Sequence, residues 1–520
     1  MGPTTLTAAW LAGEDQALRW LPAAFRDPTA RRETVARAAT RSVHPAVVGA
    51  VETRTDAQAR NRDQLARTGS VCVVTGQQAG LFGGPLYTLF KAAGAIRHAQ
   101  VLEATTGTPC VPVFWLQSED HDFDEIATAA VVDAASERQV IAVPSTLERR
   151  RSVGARSIGP AATQAIEQLD RAIRELPHGP TTITRIRKAY APDQTWTGAF
   201  AELMQDLFAP HGLLIVDPRD LRVQQAARPL HEQAVTEAAT LAQRARQWSE
   251  GLNAAGFVAP IHVRPGAPLS FFHPEGPDGP RYRLEPGPTD DWSLVGTDRT
   301  VKDLSTGAFS TSAMLRPILQ DRLLPTAAYL GGPGEIAYFA QLPPVYAHFD
   351  LPMPLVVPRP RFVIRDPACD RILENWGWSL DRLALPRDEL LADLVSVEEG
   401  PFEAWQSACN ALVDALDRSA PEAKARSKGL GKSVAKTQAT VTRAVERLIA
   451  RYRRALARDN AIAMRRLNRL CDWYVPAGAP QERAQSLPTL VARSGWERVV
   501  PALIEAIEPW NGTLRSLALP

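Results

Sequence analysis

VCVVTGQQAGLFGGPLYTLFKAAGAIRHAQVLEATTGTPCVPVFWLQSEDHDFDEI, residues 71–126, concentrates strand, loop and reactive side chains more densely than any other part of the chain. Val71 to Thr75 is a short, β-branched apolar run, the pattern of a strand buried on both faces of a parallel sheet. The run stops at Gly76. Between there and Pro85 stand Gly76, Gly80, Gly83 and Gly84, where the absence of a Cβ lets backbone N–H groups approach a ligand closely. A helix is predicted from near Leu86, with Lys91 about a turn and a half into it, on its first exposed stretch. A second buried strand, Val111 to Leu116, delivers Ser118-Glu119-Asp120-His121-Asp122 to the loop at its carboxyl end, the edge where open α/β sheets bind ligands. The stretch reads as the active-site half of a βαβ unit.

On the amino-terminal side, residues 8–68 carry apolar residues at helical intervals, such as Leu11, Leu18, Leu21 and Phe25, and are read as helices packed on the sheet. On the other side, Ile126–Val132 and Gln139–Val143 are expected as short strands and residues 160–210 as helices. Leu213 to Val216, ending at Asp217, repeats the buried-strand pattern, and Leu221 to Ala254 turns helical again. Between Val258 and Arg299 proline, glycine and aromatics accumulate, which suggests an inserted β segment flanking a cleft. Ala327–Leu330 runs into the loop Gly331-Gly332-Pro333-Gly334-Glu335, a second strand followed by glycines, and Pro354–Pro358 with Arg361–Arg365 is expected to finish the sheet. From about residue 389 the spacing of Phe402, Trp405, Cys409, Leu412 and Leu416, and of Val441, Val445, Leu448, Tyr452 and Leu456, predicts an antiparallel helical hairpin, a coiled coil with its bend near Pro421 and Gly429–Gly431. The expected division is residues 1–70, a core over 71–385 with insertions at about 145–210 and 255–305, a hairpin over 386–475, and a helical tail over 476–520.

At 520 residues, 45% hydrophobic and 22% charged, the chain has ordinary globular composition. A formal charge of +2 points to neither nucleic acid nor an anionic membrane as partner. The nine arginines of residues 443–469 lie at helical intervals and lack interleaved stacking aromatics apart from Tyr452, so they suit a solvated coiled-coil face better than RNA. The five cysteines are widely separated and form no zinc pattern, as expected of a protein in a reducing cytoplasm. The opening residues resemble no export signal, and no window of about 18 apolar residues predicts a membrane span.

Two features carry chemistry. The glycine loop is neither a Walker A sequence nor GxGxxG, so it names no ligand beyond an anion. Glu119, Asp120, His121 and Asp122 are four ionisable residues beyond an apolar strand, where a histidine between carboxylates has a raised pKa and can act as acid or base. The same four could bind a divalent metal, although consecutive residues on an extended loop point alternately.

With those residues in view, the chain resembles the BshC family of cysteine-adding ligases of bacillithiol biosynthesis. The resemblance rests on VVTGQQAGLFGGPLYTLFKAAGAI (73–96), VPVFWLQSEDHDFDEI (111–126), STSAMLRPILQD (310–321), YLGGPGEIAYFAQL (329–342), MPLVVPRPRFVI (353–364) and APQER (479–483). It implies a Rossmann-like core with inserted connecting segments, a long coiled coil for homodimerisation, and amide formation between the cysteine carboxylate and the amine of glucosaminyl-malate. Such a reaction needs an activated carboxylate, for which ATP with Mg is the candidate nucleotide, although HIGH and KMSKS signatures are absent. The resemblance places Lys91 and Glu119 to Asp122 in the lining of the cleft, and the chemistry of the reaction suggests catalytic roles for them: His121 as base, oriented by Asp120 or Asp122, Glu119 holding the sugar hydroxyls or the amine, and Lys91 as cation. The implied substrate and anion contacts are Thr75, Gly76, Gln77, Gln78, Gly80, Gly83, Gly84 and Tyr87, then Arg316, Gly331, Gly332, Gly334, Glu335, Tyr338 and Arg359. No resident metal is expected. One departure is Ser310-Thr311-Ser312, where the family usually reads Ser-Pro-Asn. The rival activities are a metal-dependent deacylase of an amino-sugar conjugate and a non-catalytic, ligand-binding coiled-coil scaffold.

Overall fold

The computed structural model describes residues 5–22, 24–145, 150–287, 291–394 and 401–520. They form two compact units, one of residues 1–364 with 482–520 and the other of residues 365–481. The division thus falls earlier than the expected residue 386.

The first unit is built on a parallel sheet. Its strands are β1 (Val71–Gln77) and β2 (Cys110–Leu116), joined by helix α1 (Tyr87–Thr106). After a β3–β4 hairpin (Thr128–Val132 and Arg138–Ala142) comes β5 (Leu214–Val216), and the sheet is completed much later by β11 (Thr326–Gly331) and β12 (Leu355–Pro358). The order is β12-β11-β1-β2-β5. Every residue of β1 up to Gly76, and all of β2, is buried, which is why both strands read as unbroken apolar runs rather than alternating ones. Helix α1 lies so close to the sheet that a Cβ on Gly94 would come within 2.8 Å of Leu330 and Pro360, a distance only glycine tolerates.

Parallel pairing aligns the carboxyl ends of these strands. Gln77 stands opposite Leu116, Thr75 opposite Leu330, Gly331 opposite Pro358, and Trp115 opposite Val216. The chain leaves β1 toward β2 on one side and returns to β11 on the other, so the topological switch point lies between β1 and β11.

The segment inserted before β11 is an antiparallel sheet: β6 (Ser270–His273), β7 (Tyr282–Pro286), β8 (Trp292–Leu294), β9 (Thr300–Val301) and β10 (Ala308–Thr311), in the order β10-β6-β7-β8-β9. Phe272, Leu284, Leu294 and Phe309 form its core with Val235. Helix α2 (Leu315–Leu323) leads from it into β11, and helix α3 (Pro333–Phe339) follows β11. The strand Arg361–Arg365 does not finish the parallel sheet as expected. It lies in a separate two-stranded sheet with Leu514–Ala518, a strand that the apolar pattern of the tail did not suggest.

The second unit contains the coiled coil, helices α4 (Phe402–Arg426) and α5 (Lys428–Asp459). They reverse at Ser427, whose extended backbone breaks the helix, so Gly429 and Gly431 lie in the first turn of α5 rather than in the bend. Ring contacts of Phe402 and Trp405 with Tyr452 fix the antiparallel register at the open end. Among the described residues no helix is long and apolar enough to cross a membrane.

Candidate active site

A cavity of about 560 Å³ opens at the carboxyl edge of the parallel sheet, walled on its far side by the inserted antiparallel sheet. Gln77, Gln78, Tyr87 and Lys91 line it from the β1–α1 segment, and Glu119, Asp120 and His121 from the loop after β2. Gly332, Gly334, Glu335 and Tyr338 line it from beyond β11, with Arg316 from α2 and Arg359 from the end of β12. The two segments singled out in the sequence therefore meet on one cavity.

Lys91 is not on an exposed stretch. Its side chain is 2% exposed and its ammonium is shared among the Gly76 carbonyl at 2.9 Å, Gln77 Oε1 at 3.0 Å and the Glu335 carboxylate. Three donors meet three acceptors, which makes Lys91 a structural hub of the switch point rather than a free cation. Burial lowers its pKa while Glu335 opposes that shift. Glu335 in turn accepts from Tyr329 Oη at 2.5 Å and the Gly332 N–H at 2.8 Å. Burial disfavours its charge, but Lys91 and Arg316 outweigh burial and hold its pKa below the usual glutamate range. Arg316 completes the network through Tyr329 Oη (3.0 Å), Tyr338 Oη (2.6 Å) and Gln320 Oε1 (3.1 Å).

On the opposite wall, the loop after β2 is organised by a residue that the sequence did not single out. Arg281, 7% exposed, reaches from the inserted sheet and stacks on Phe271 at 4.2 Å from the ring centroid. Its Nη1 donates to the Glu119 carbonyl at 2.7 Å, and its Nη2 to Asp120 Oδ1 at 3.1 Å and His121 Nδ1 at 2.8 Å. Asp120 also accepts from Gln78 Nε2 at 2.7 Å. Burial pushes its pKa up, but the charge of Arg281 and the hydrogen bonds from Gln78 and from the backbone N–H of His121 hold it well below the usual aspartate range. Glu119 is buried, and its Oε2 accepts from both the N–H (3.0 Å) and the Oγ1 (2.5 Å) of Thr311. Burial raises its pKa despite those bonds and the nearby arginines. Proline at position 311 would have neither donor, so the departure from Ser-Pro-Asn changes how Glu119 is held.

Asp122 does not line the cavity. It is exposed, and its Oδ1 accepts the Glu125 N–H at 3.3 Å. Among the described residues no group of three His, Cys, Asp or Glu side chains converges as a metal site. Around Asp120 and His121 the cation already present is a guanidinium.

The glycine loop is also built differently from an anion cradle. Gly80, Gly83 and Gly84 are buried and do not line the cavity, and their N–H groups bond to Gln78, Gly80 and Leu81 carbonyls within the loop. Leu81 N–H donates to Ile126, and Phe82 N–H to Tyr190 Oη at 2.7 Å. Gly83 has φ +91°, and a Cβ there would meet Leu487 Cδ2 at 2.5 Å. Glycine is required for packing, and the loop serves to pin β1 and α1 against neighbouring elements. Thr75 ties β1 to β11 through the Leu330 carbonyl at 2.9 Å, and the Gly76 carbonyl holds Lys91. Gly331 accepts the Arg359 N–H at 2.9 Å. These three position the rim without lining the cavity.

Positive charge in the cavity comes from arginines instead. Arg264, Arg283 and Arg483 line it along with Arg281, Arg316 and Arg359. Arg359 makes a bidentate pair with Glu482, both bonds 2.8 Å and both side chains 3% exposed, and lies over the Tyr87 ring. Spacing along the chain could not reveal Arg281, Arg483 or Thr311 as neighbours in one cavity, because each arrives from a separate element.

Residues 23–360 match the family model of the BshC N-terminal Rossmann-like domain of bacillithiol biosynthesis, and residues 362–517 match that of the BshC C-terminal coiled-coil domain. A protein of Salinibacter ruber named "Putative cysteine ligase BshC" is 31% identical over 424 residues, covering 80% of this chain and 77% of its own length. Proteins of the same name from Solibacter usitatus and Koribacter versatilis are 32% and 30% identical over 467 and 450 residues. Each alignment covers 85% of this chain, with 83% and 82% of the relative.

Proposed function

Because the chain belongs to the BshC family, we propose that it is a ligase that forms a carbon–nitrogen amide bond, joining the carboxyl group of cysteine to the amine of glucosaminyl-malate. The observation that carries this reading is the cavity itself, in which Glu119, Asp120 and His121 face Arg316, Tyr338 and Glu335 across the switch point of the sheet. One wall offers titratable groups for proton transfer, and the other carries charge held by buried bonds.

Amide formation from a free carboxylate runs uphill in water, so the acid needs a leaving group. ATP with Mg would supply it. The glycine loop does not present its N–H groups to the cavity, so Arg264, Arg283 and Arg483 are the residues that would meet the phosphates. The protein acts as a homodimer through the coiled coil, where Leu412 and Leu448 are 46% and 47% exposed and offer apolar surface along the hairpin. The five unpaired thiols suit a cytoplasmic setting.

The test is to incubate the protein with cysteine, glucosaminyl-malate and ATP-Mg and to follow the condensed thiol by mass. The expected result is a product that needs all three reactants and is lost with Glu119→Gln. A mixture that yields none while the protein is folded and dimeric would overturn the assignment.

A further inference from the structure

We propose that Arg281 is a positioning residue that fixes His121 as a neutral hydrogen-bond donor through Nε2–H, leaving Glu119 as the base that deprotonates the attacking amine. This deepens the ligase assignment above and rests on it for the role of Glu119, though not for the state of His121.

Arginine has N–H donors and no acceptor, so any nitrogen it bonds must present a lone pair. His121 Nδ1 receives Arg281 Nη2 at 2.8 Å and Nε at 3.2 Å. Nδ1 also lies 3.4 Å from Asp120 Oδ1, a contact that would call for a proton on Nδ1. The shorter contact with an obligate donor decides between the two, and Asp120 Oδ1 is already served by the His121 N–H at 2.7 Å and Arg281 Nη2. With its lone pair on Nδ1, the ring carries its proton on Nε2. Accepting a second proton at Nδ1 would set N–H against N–H beside a fixed positive charge. Arg281 cannot easily withdraw, because the Glu119 carbonyl, Asp120 and the Phe271 ring hold the other parts of its guanidinium.

Glu119 is placed for the base role. It lines the cavity, and Thr311 immobilises one of its oxygens. Its pKa is raised by burial, which strengthens the carboxylate as a proton acceptor. In the step proposed, the amine nitrogen attacks the activated carboxyl carbon and a C–N bond forms. The C–O bond to the phosphate-type leaving group of the nucleotide breaks with its electron pair, and the amine proton passes to Glu119. His121 Nε2–H donates to the substrate throughout.

The proposal is tested first by the nitrogen-15 spectrum of labelled histidine in the intact protein, with His121 assigned by its loss in His121→Gln. The expected signature is an unprotonated, hydrogen-bonded Nδ1 and a protonated Nε2, an assignment that disappears in Arg281→Met and weakens in Arg281→Lys while the fold remains intact. A proton on Nδ1 in the unaltered protein, or an unchanged tautomer in Arg281→Met, overturns it. The second arm uses turnover. Glutamine retains a donor near the place of Nε2 but has no basicity, so His121→Gln should lose less than about tenfold in kcat/KM, and His121→Ala about 10- to 100-fold. Glu119→Gln should lose about 10²- to 10⁴-fold. Equal losses for the two His121 variants with near-normal Glu119→Gln would assign the base to His121 and overturn the proposal. An unaltered protein that makes no amide fails the ligase assignment alone, and the spectrum still decides the role of Arg281.

Discussion

Lys91, on the helix after β1, and Glu335, on the helix after β11, close a buried ion pair across the switch point of the sheet. The pair ties together the two elements whose strands run to the cavity rim; the Gly76 carbonyl and Gln77 Oε1 accept the other bonds of Lys91, and the Tyr329 hydroxyl and Gly332 N–H donate to Glu335. A group so fully partnered contributes by holding geometry, since any anion that claimed Lys91 would have to displace three existing acceptors.

Replacing Lys91 with Met should therefore act mainly on stability. Glu335 would keep Arg316 nearby but lose its direct partner, and breaking a buried pair costs about 3–5 kcal/mol. Chemical denaturation measures this; a Lys91→Met protein of unchanged stability with a selective loss of nucleotide binding would return Lys91 to the role of free cation.

Gly83→Ala probes the loop. Alanine at φ +91° is strained, and its Cβ would collide with Leu487, so a loss of about 1–3 kcal/mol is expected. Thermal unfolding and nucleotide KM should be measured together. A lowered midpoint with unchanged KM fits a packing role, whereas an unchanged midpoint with a raised KM fits an anion cradle.

The contrast between these two sites shows how much was legible in the sequence. Buried parallel strands have no alternation to obscure them, so Val71–Thr75, Val111–Leu116 and Ala327–Leu330 are visible as apolar runs within the strands Val71–Gln77, Cys110–Leu116 and Thr326–Gly331, and their shared carboxyl edge brings Lys91, Glu119 and Glu335 together. Glycine frequency, however, is the same whether the Cβ is excluded by a ligand or by Leu487. Nor does an arginine in a proline-rich insert announce that it will cross to His121, because that contact is made only when the antiparallel sheet folds over the cavity. The strand at Leu514–Ala518 was missed for a related reason, since its partner at Arg361–Arg365 also reads as the last strand of the main sheet.

The pair of Arg359 and Glu482 should make part of the stability depend on pH. Burial alone would raise the Glu482 pKa, but its bonds to Arg359 and the charges of Arg359 and Arg361 bring it below the ordinary value. The folded state then holds the carboxylate more firmly than the unfolded chain. Its contribution is complete above the ordinary carboxylate range and fades as pH falls through the lower, folded value. Arg359→Ala should cost about 3–5 kcal/mol at neutral pH and less in acid; equal losses at both would remove the ion pair as the cause.

Glu119 carries the opposite sign. Burial raises its pKa, so the basic form appears at higher pH than for an ordinary glutamate, and kcat/KM should rise with pH through a limb above the ordinary glutamate range. Thr311→Val removes the hydroxyl bond to the carboxylate and should move that limb further up. A limb that stays in place, measured over the full pH profile, would separate Glu119 from the titration.

The central claim is that this cavity joins an activated cysteine carboxyl to an amine. It is tested most directly by supplying cysteine labelled with oxygen-18 in its carboxyl group, together with glucosaminyl-malate and ATP-Mg, and weighing both products. The account predicts an amide that keeps one labelled oxygen and a released phosphate or nucleotide that carries the other. Amide product with no label in the phosphate-containing product, or no amide at all, would contradict it.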